Sequence, residues 1–208
     1  MKSSLKKGAW GAALMGLALV VMPADTSAAE WANPELLASP DTIKANAGKP
    51  DWVVLDCRDL KDYAEGHIPG AISLGGACGK VLRDTSARAF QDVSRYEKLL
   101  GKVGISNGSH VVVYHGDMKT LNDATVAFWI LEWLGHDKVY FLNGGIDAWR
   151  KAGNRLDTKP EVKAASTFTA KPVKSRLSET SEISDIAAAK IKGVQVIDSR
   201  TTAENKGQ

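Results

Sequence analysis

Residues 53–70 read VVLDCRDLKDYAEGHIPG, and from Val194 a degraded second copy of its opening begins, VQVIDSRTTAENKGQ. Setting Asp56 against Asp198 also sets Val54 against Val196, Arg58 against Arg200 and Asp62 against Glu204, at a constant offset of 142 residues (56 to 198). A period of that size fits two tandem globular domains and lies far above the ~20 to 50 residues of solenoid repeats. The expected organisation is one whole domain over residues 30–157, a linker over 158–174, and the truncated start of a second copy over 175–208.

Short β-rich runs alternate with amphipathic helical stretches from Trp31 onward. That alternation predicts an α/β fold, a doubly wound and mainly parallel sheet with helices on both faces. Residues 52–56 and 71–74 read as strands, the second following the turn His67-Ile68-Pro69-Gly70. Tyr96, Leu99, Leu100 and Val103 recur at helical spacing behind a Ser94-x-x-Glu97 capping pattern. The unbroken apolar run 111–114 suits the middle of a parallel sheet. A helix from about Thr120 buries Ala127, Ile130, Leu131 and Leu134, with Asp123 in its first turn. A strand over 138–142 and a helix through Trp149, ended by Gly153, complete the domain. Residues 154–173 contain Pro160 and Pro172 and show neither period, so they read as a polar connector. A short Ala-rich helix over 183–192 and a strand over 194–198 open the second copy.

Residues 1–29 combine lysines at 2, 6 and 7, an apolar run from Ala12 to Met22 and small residues at 27–29, the layout of a cleaved secretory leader. The run is shorter than the ~20 residues needed to span hydrocarbon. Without this segment Lys+Arg falls from 27 to 24 and Asp+Glu from 24 to 23, so net charge falls from +3 to +1. A near-neutral chain offers no electrostatic case for nucleic acid or for an anionic membrane. Export, with the bacterial periplasm as destination, implies an oxidising compartment in which Cys57 and Cys78 could pair. A domain of this size can bury a sufficient core without a disulfide, so a free, buried Cys57 is the expected state.

In an open α/β sheet the ligand site lies beyond the carboxyl ends of the strands. Three segments should meet there: Asp56-Cys57-Arg58, the loop 115–120, and Asn143-Gly144-Gly145. A loop running from a central strand into a helix aims several backbone N–H groups at one point, a cradle for an anion or thiolate. Asp56 and Arg58 share a face because the strand period is two, and they are expected to form a structural ion pair, as are Asp198 and Arg200. Asp117 and Lys119 read as solvated charges or interdomain contacts, and His67 as a turn residue with a local hydrogen bond. Trp129, Trp133 and Trp149 fall among apolar neighbours and read as packing residues.

The stretches LDCRDLKDYAEGHIPGAISL (55–74), VVVYHGD (111–117) and WLGHDKVYFLNGGIDAW (133–149) together resemble the rhodanese family of sulfurtransferases. The resemblance implies a tandem-domain thiosulfate sulfurtransferase that needs no cofactor or metal. A cysteine would accept sulfane sulfur from a donor such as thiosulfate or 3-mercaptopyruvate and pass it to cyanide or another thiophilic acceptor. The family places that cysteine at the opening of the loop after the central strand, often as C-x-x-x-x-R; here His115 stands in its place. His115 is expected to be solvent-exposed or structural. The catalytic cysteine would belong to the second domain, beyond Gln208, leaving this chain inactive by itself. Cys78 to Arg83 satisfies C-x-x-x-x-R by letter but follows the short strand after the HIPG turn, which makes Cys78 a poor alternative. The other reading is a binding or scaffold protein of rhodanese fold that recognises a partner or a small anion without catalysis.

Overall fold

A computed structural model describes residues 31–83, 90, 92–118 and 120–207, so the leader expected over residues 1–29 and Lys119 lie outside the described residues. At the centre of the sheet is β4 (His110–Tyr114), whose Val111-Val112-Val113 run is what a strand covered on both faces requires. It lies between β2 (Trp52–Asp56) and β5 (Val139–Leu142), and β3 (Ala71–Ser73) and β1 (Leu37–Ala38) form the edges in the order β1-β5-β4-β2-β3. Every pairing is parallel. Parallel neighbours need crossovers, which are carried by α1 (Pro40–Asn46), α2 (Leu60–Glu65), α3 (Cys78–Arg83), α4 (Val93–Lys102) and α5 (Leu121–Trp133), and α6 (Gly145–Lys151) follows β5.

The two-residue period of the strands divides the core. Val53, Leu55, Cys57, Val111 and Val113 pack with Leu82, Leu100, Ile130 and Leu131 of α3, α4 and α5. Val54, Val112 and Tyr114 face the other way, onto Ile43 of α1 and Ile146 and Trp149 of α6. Trp133 joins the first core, with Trp129 packed against it.

Several local expectations are corrected. α4 is capped at Asp92, not Ser94: the Ser94 hydroxyl donates to the Asp92 carboxylate at 2.7 Å, and Glu97 accepts the N–H of Ala170 at 2.9 Å. The carboxylate is thus used to satisfy a chain segment crossing the helix. The Ala-rich helix begins earlier, as α7 (Thr180–Ala187), and Ala189 follows it with φ of 57°. The strand expected over 194–198 does not form. Val194, Val196 and Ile197 are 51, 57 and 84 % exposed, and without a neighbouring strand their backbone groups have no ladder to join. A short α8 (Thr202–Asn205) follows, capped reciprocally by Thr201 and Glu204.

The connector is no loose polar segment. Its first end pairs with the HIPG turn through the N–H of His67 to the Asp157 carbonyl at 2.8 Å and the return bond at 2.9 Å. Further on, the N–H groups of Ser166, Lys171 and Val173 donate to the carbonyls of Gly101, Leu134 and Trp133, and the Asn107 side chain bonds both backbone groups of Thr169. Phe168 is buried in the core of the α4–α5 side. Gly135, with φ of +79°, makes room for this strap, since a Cβ there would lie 2.5 Å from the Lys171 carbonyl.

Candidate functional site

β2 and β4 end in register, which puts Asp56 beside Tyr114 on the same face. Arg58, two residues on, turns back to Asp56: its Nε lies 2.9 Å from Oδ1 and its Nη2 2.5 Å from Oδ2, and its backbone N–H also donates to Oδ1 at 2.9 Å. The same Nη2 donates to the Gly66 carbonyl at 2.8 Å, and the Tyr114 hydroxyl donates to the Asp56 carboxylate. Asp56 is fully buried and Arg58 nearly so. Burial opposes the Arg58 charge, but the hydrogen bonds and charge of Asp56 outweigh it and hold the guanidinium above its ordinary value. Burial, then the adjacent Asp56 carboxylate, pushes Tyr114 far above the usual phenol range, so it remains a donor. Tyr114 was not foreseen as part of this cluster; its in-phase position at the end of the neighbouring strand was the available signal.

Asp198 and Arg200 repeat the geometry at 2.9 and 2.7 Å without any sheet around them. This clamp therefore arises from the local Asp-x-Arg sequence, and burial is added only in the first copy.

His115 follows β4 and is buried. Its Nδ1 is 3.1 Å from the Asp117 carbonyl, an arrangement in which the ring N–H donates, and the ring stacks on Phe141 at 5.6 Å between centroids. Its carbonyl accepts from the Ile146 N–H at 3.0 Å. The imidazole is thus packed between Phe141 and Gly145, the structural side of the expectation. The Gly116 N–H is taken by the Thr120 hydroxyl at 3.0 Å, so that donor of the loop is closed on the loop's own side chain. Asp117 is exposed and its carboxylate accepts from the Thr120 N–H at 3.2 Å, ordering the entry into α5.

Two of the three segments expected to meet line a cleft of about 420 Å³, bounded by Arg58, Gly66, Gly116, Thr120 and Ile146; Asn143-Gly144-Gly145 does not line it, and the first turn of α6 takes its place. Asp62, Glu65, Asp117, Asp147 and Arg150 also line it, and Arg150 pairs with Asp147 at 3.3 Å. With the Arg58 charge given to Asp56, this mouth carries an acidic excess and is a poor receptor for an anion. Among the described residues no three His, Cys, Asp or Glu side chains converge as a metal would need, and no helix is long and apolar enough to cross a membrane.

The expectation for the cysteines is overturned. Cys57 and Cys78 form a disulfide, both fully buried, with Cα atoms 4.7 Å apart. Cys57 leaves β2 toward the α3 side, and Cys78 opens α3, so the bond joins strand end to helix start. Cys78 therefore stands at a helix start and not as the free thiol of a C-x-x-x-x-R loop, and the chain holds no free cysteine. His67 is fully buried, with Nδ1 2.8 Å from the Tyr63 carbonyl and Nε2 3.1 Å from that of Lys159. The first contact is local and the second reaches the strap.

Residues 39–152 match the Rhodanese-like domain family. The thiosulfate sulfurtransferase of Corynebacterium glutamicum is 33% identical over 186 residues, 86% of this chain and 58% of that protein. That of Gallus gallus is 31% identical over 160 residues, 75% of this chain and 54% of its own length. The chain thus spans little more than half the length of these relatives. Among solved structures, SseA of Escherichia coli, described as a 3-mercaptopyruvate sulfotransferase, superposes with a TM-score of 0.70 at 20% identity over 83% of this chain and 70% of that one, a likeness of fold. On the match over residues 39–152, carried by the parallel sheet and its three loops, this chain belongs to the rhodanese family.

Proposed function

We propose that this chain is the non-catalytic first half of an exported sulfurtransferase of the thiosulfate or 3-mercaptopyruvate type. The observation that carries this reading is that His115 opens the loop after β4 where a thiol would be needed, and both cysteines are joined to each other. Sulfur transfer needs a thiolate, held by loop N–H groups and a helix start that lower a thiol from its usual ~8.5. That thiolate is assigned to the second domain, whose opening is the Asp198–Arg200 repeat. There it attacks the outer sulfur of thiosulfate, the S–S bond breaks and sulfite leaves, and a cysteine persulfide remains. Cyanide or another thiophile then takes the outer sulfur and the thiolate is regenerated.

The names of the relatives support the donor class. The Cys57–Cys78 disulfide supports export to the periplasm, because disulfides persist in oxidising compartments. The test is thiocyanate release from thiosulfate and cyanide. The 208-residue chain is expected to remain at the uncatalysed rate, and a longer product containing a complete second domain is expected to turn over and gain one sulfur atom in its mass. Turnover by the short chain defeats the assignment. Failure of the longer product, with the fold intact, favours the binding or scaffold reading. N-terminal sequencing of the periplasmic product checks cleavage near residue 29.

A further inference from the structure

The strap over residues 157–173 meets two buried histidines, one toward each end. At one end, His67 meets two carbonyl oxygens, of Tyr63 and Lys159. These contacts, with the backbone pair between His67 and Asp157, fix the first end of the strap. At the other end, His136 is 2 % exposed, and neither ring nitrogen makes a well-formed hydrogen bond, the Ser109 backbone being a nearby acceptor. Its ring lies 5.9 Å from that of Phe168, which the strap presents to it.

Burial lowers the His136 pKa below its ordinary 6.5; Asp137 and the nearby Ser109 backbone pull upward without reversing this, and Lys138 and His110 add to the lowering. The carboxylates on the neighbouring helices have other partners, Glu97 with the Ala170 N–H and Glu132 with Arg176. From the strap His136 receives a phenyl ring, which offers a proton on the imidazole no acceptor.

We propose that His136 and Phe168 form an acid-released latch: a neutral His136 lets the strap close over residues 166–173, and a proton on His136 expels Phe168 and opens that stretch while His67 keeps 157–159 in place. The sign follows from burial of the neutral ring. Closure is strongest above the ordinary histidine value and weakens as pH falls below it, because only the open form lets water solvate the imidazolium. Opening frees the N–H groups of Ser166, Lys171 and Val173 from the domain and lengthens the tether to residues 177–207.

Peptide-resolved hydrogen exchange on the full chain, corrected for intrinsic rates, tests this at about pH 7.5 and about pH 5, on either side of histidine titration. Peptides covering 166–173 are expected to exchange roughly tenfold faster at the lower pH, a factor matching one pH unit of linkage, while those covering 157–159 do not change. His136→Leu should abolish the difference, with His136→Gln as the second variant if leucine prevents folding, and Phe168→Ala should open the stretch at both pH values. Equal protection of the native chain at both pH values overturns the latch. So does native-like pH dependence in the folded His136 variant, or opening that spreads evenly from 157 to 173.

Discussion

Gly145 lies against His115 so closely that a Cβ on it would sit 2.6 Å from the His115 carbonyl oxygen and 2.9 Å from Nε2. Gly145 also has φ of +56°, which L side chains adopt only under strain. Gly145→Ala is therefore expected to cost about 3 kcal/mol or more, the upper range for a strained position with a clash. Gly153 has φ of +74° but open space around it, so Gly153→Ala should cost only about 1 kcal/mol. Urea unfolding of the two variants measures the difference; equal costs would show that the His115 loop yields freely.

The Asp56, Arg58 and Tyr114 cluster predicts a graded series. Arg58→Leu leaves a buried carboxylate without its cation and is expected to cost about 3 to 5 kcal/mol. Tyr114→Phe removes one hydrogen bond to that carboxylate and should cost about 1.5 to 3 kcal/mol. Arg200→Leu, in the exposed copy of the same pair, should leave the unfolding midpoint unchanged. A loss at Arg200 comparable to that at Arg58 would contradict the role given to burial.

Cys57 and Cys78 close a 21-residue separation, so reduction or Cys57→Ser with Cys78→Ser is expected to lower stability by about 3 kcal/mol. Neither residue should react with an alkylating agent in the oxidised chain, folded or unfolded, and both should react once reduced and unfolded. Mass spectrometry counts the adducts. Alkylation of native protein without reductant would show the bond is not formed.

Limited trypsin treatment is expected to cut first at Lys190 or Lys192, in the exposed region after α7, before Lys163 in the strap. Phe168→Ala, which empties the strap's core contact, should bring the Lys163 cut forward. First cuts within 154–173 in the native chain would restore the reading of that stretch as an unanchored linker.

Four of the five strands, and two of the loops that line the cleft, were legible in the residues because they depend on local pattern; the edge strand β1 and the order in the sheet were not. The valines of β4 mark a strand covered on two faces, the two-residue period places Asp56 and Arg58 on one side, and Asn143-Gly144-Gly145 marks the turn into α6. The Asp-x-Arg clamp is so local that it forms in both copies. What escaped the sequence depends on approach in space between distant segments. Cys57 and Cys78 pair because α3 starts where β2 ends, which spacing does not reveal. The strap looked unstructured because its hydrogen bonds go to loops and helix ends, leaving no helical or strand period to read. The segment 194–198 looked like a strand and is none, since β structure is a property of a pair of chains and its neighbours are missing around it.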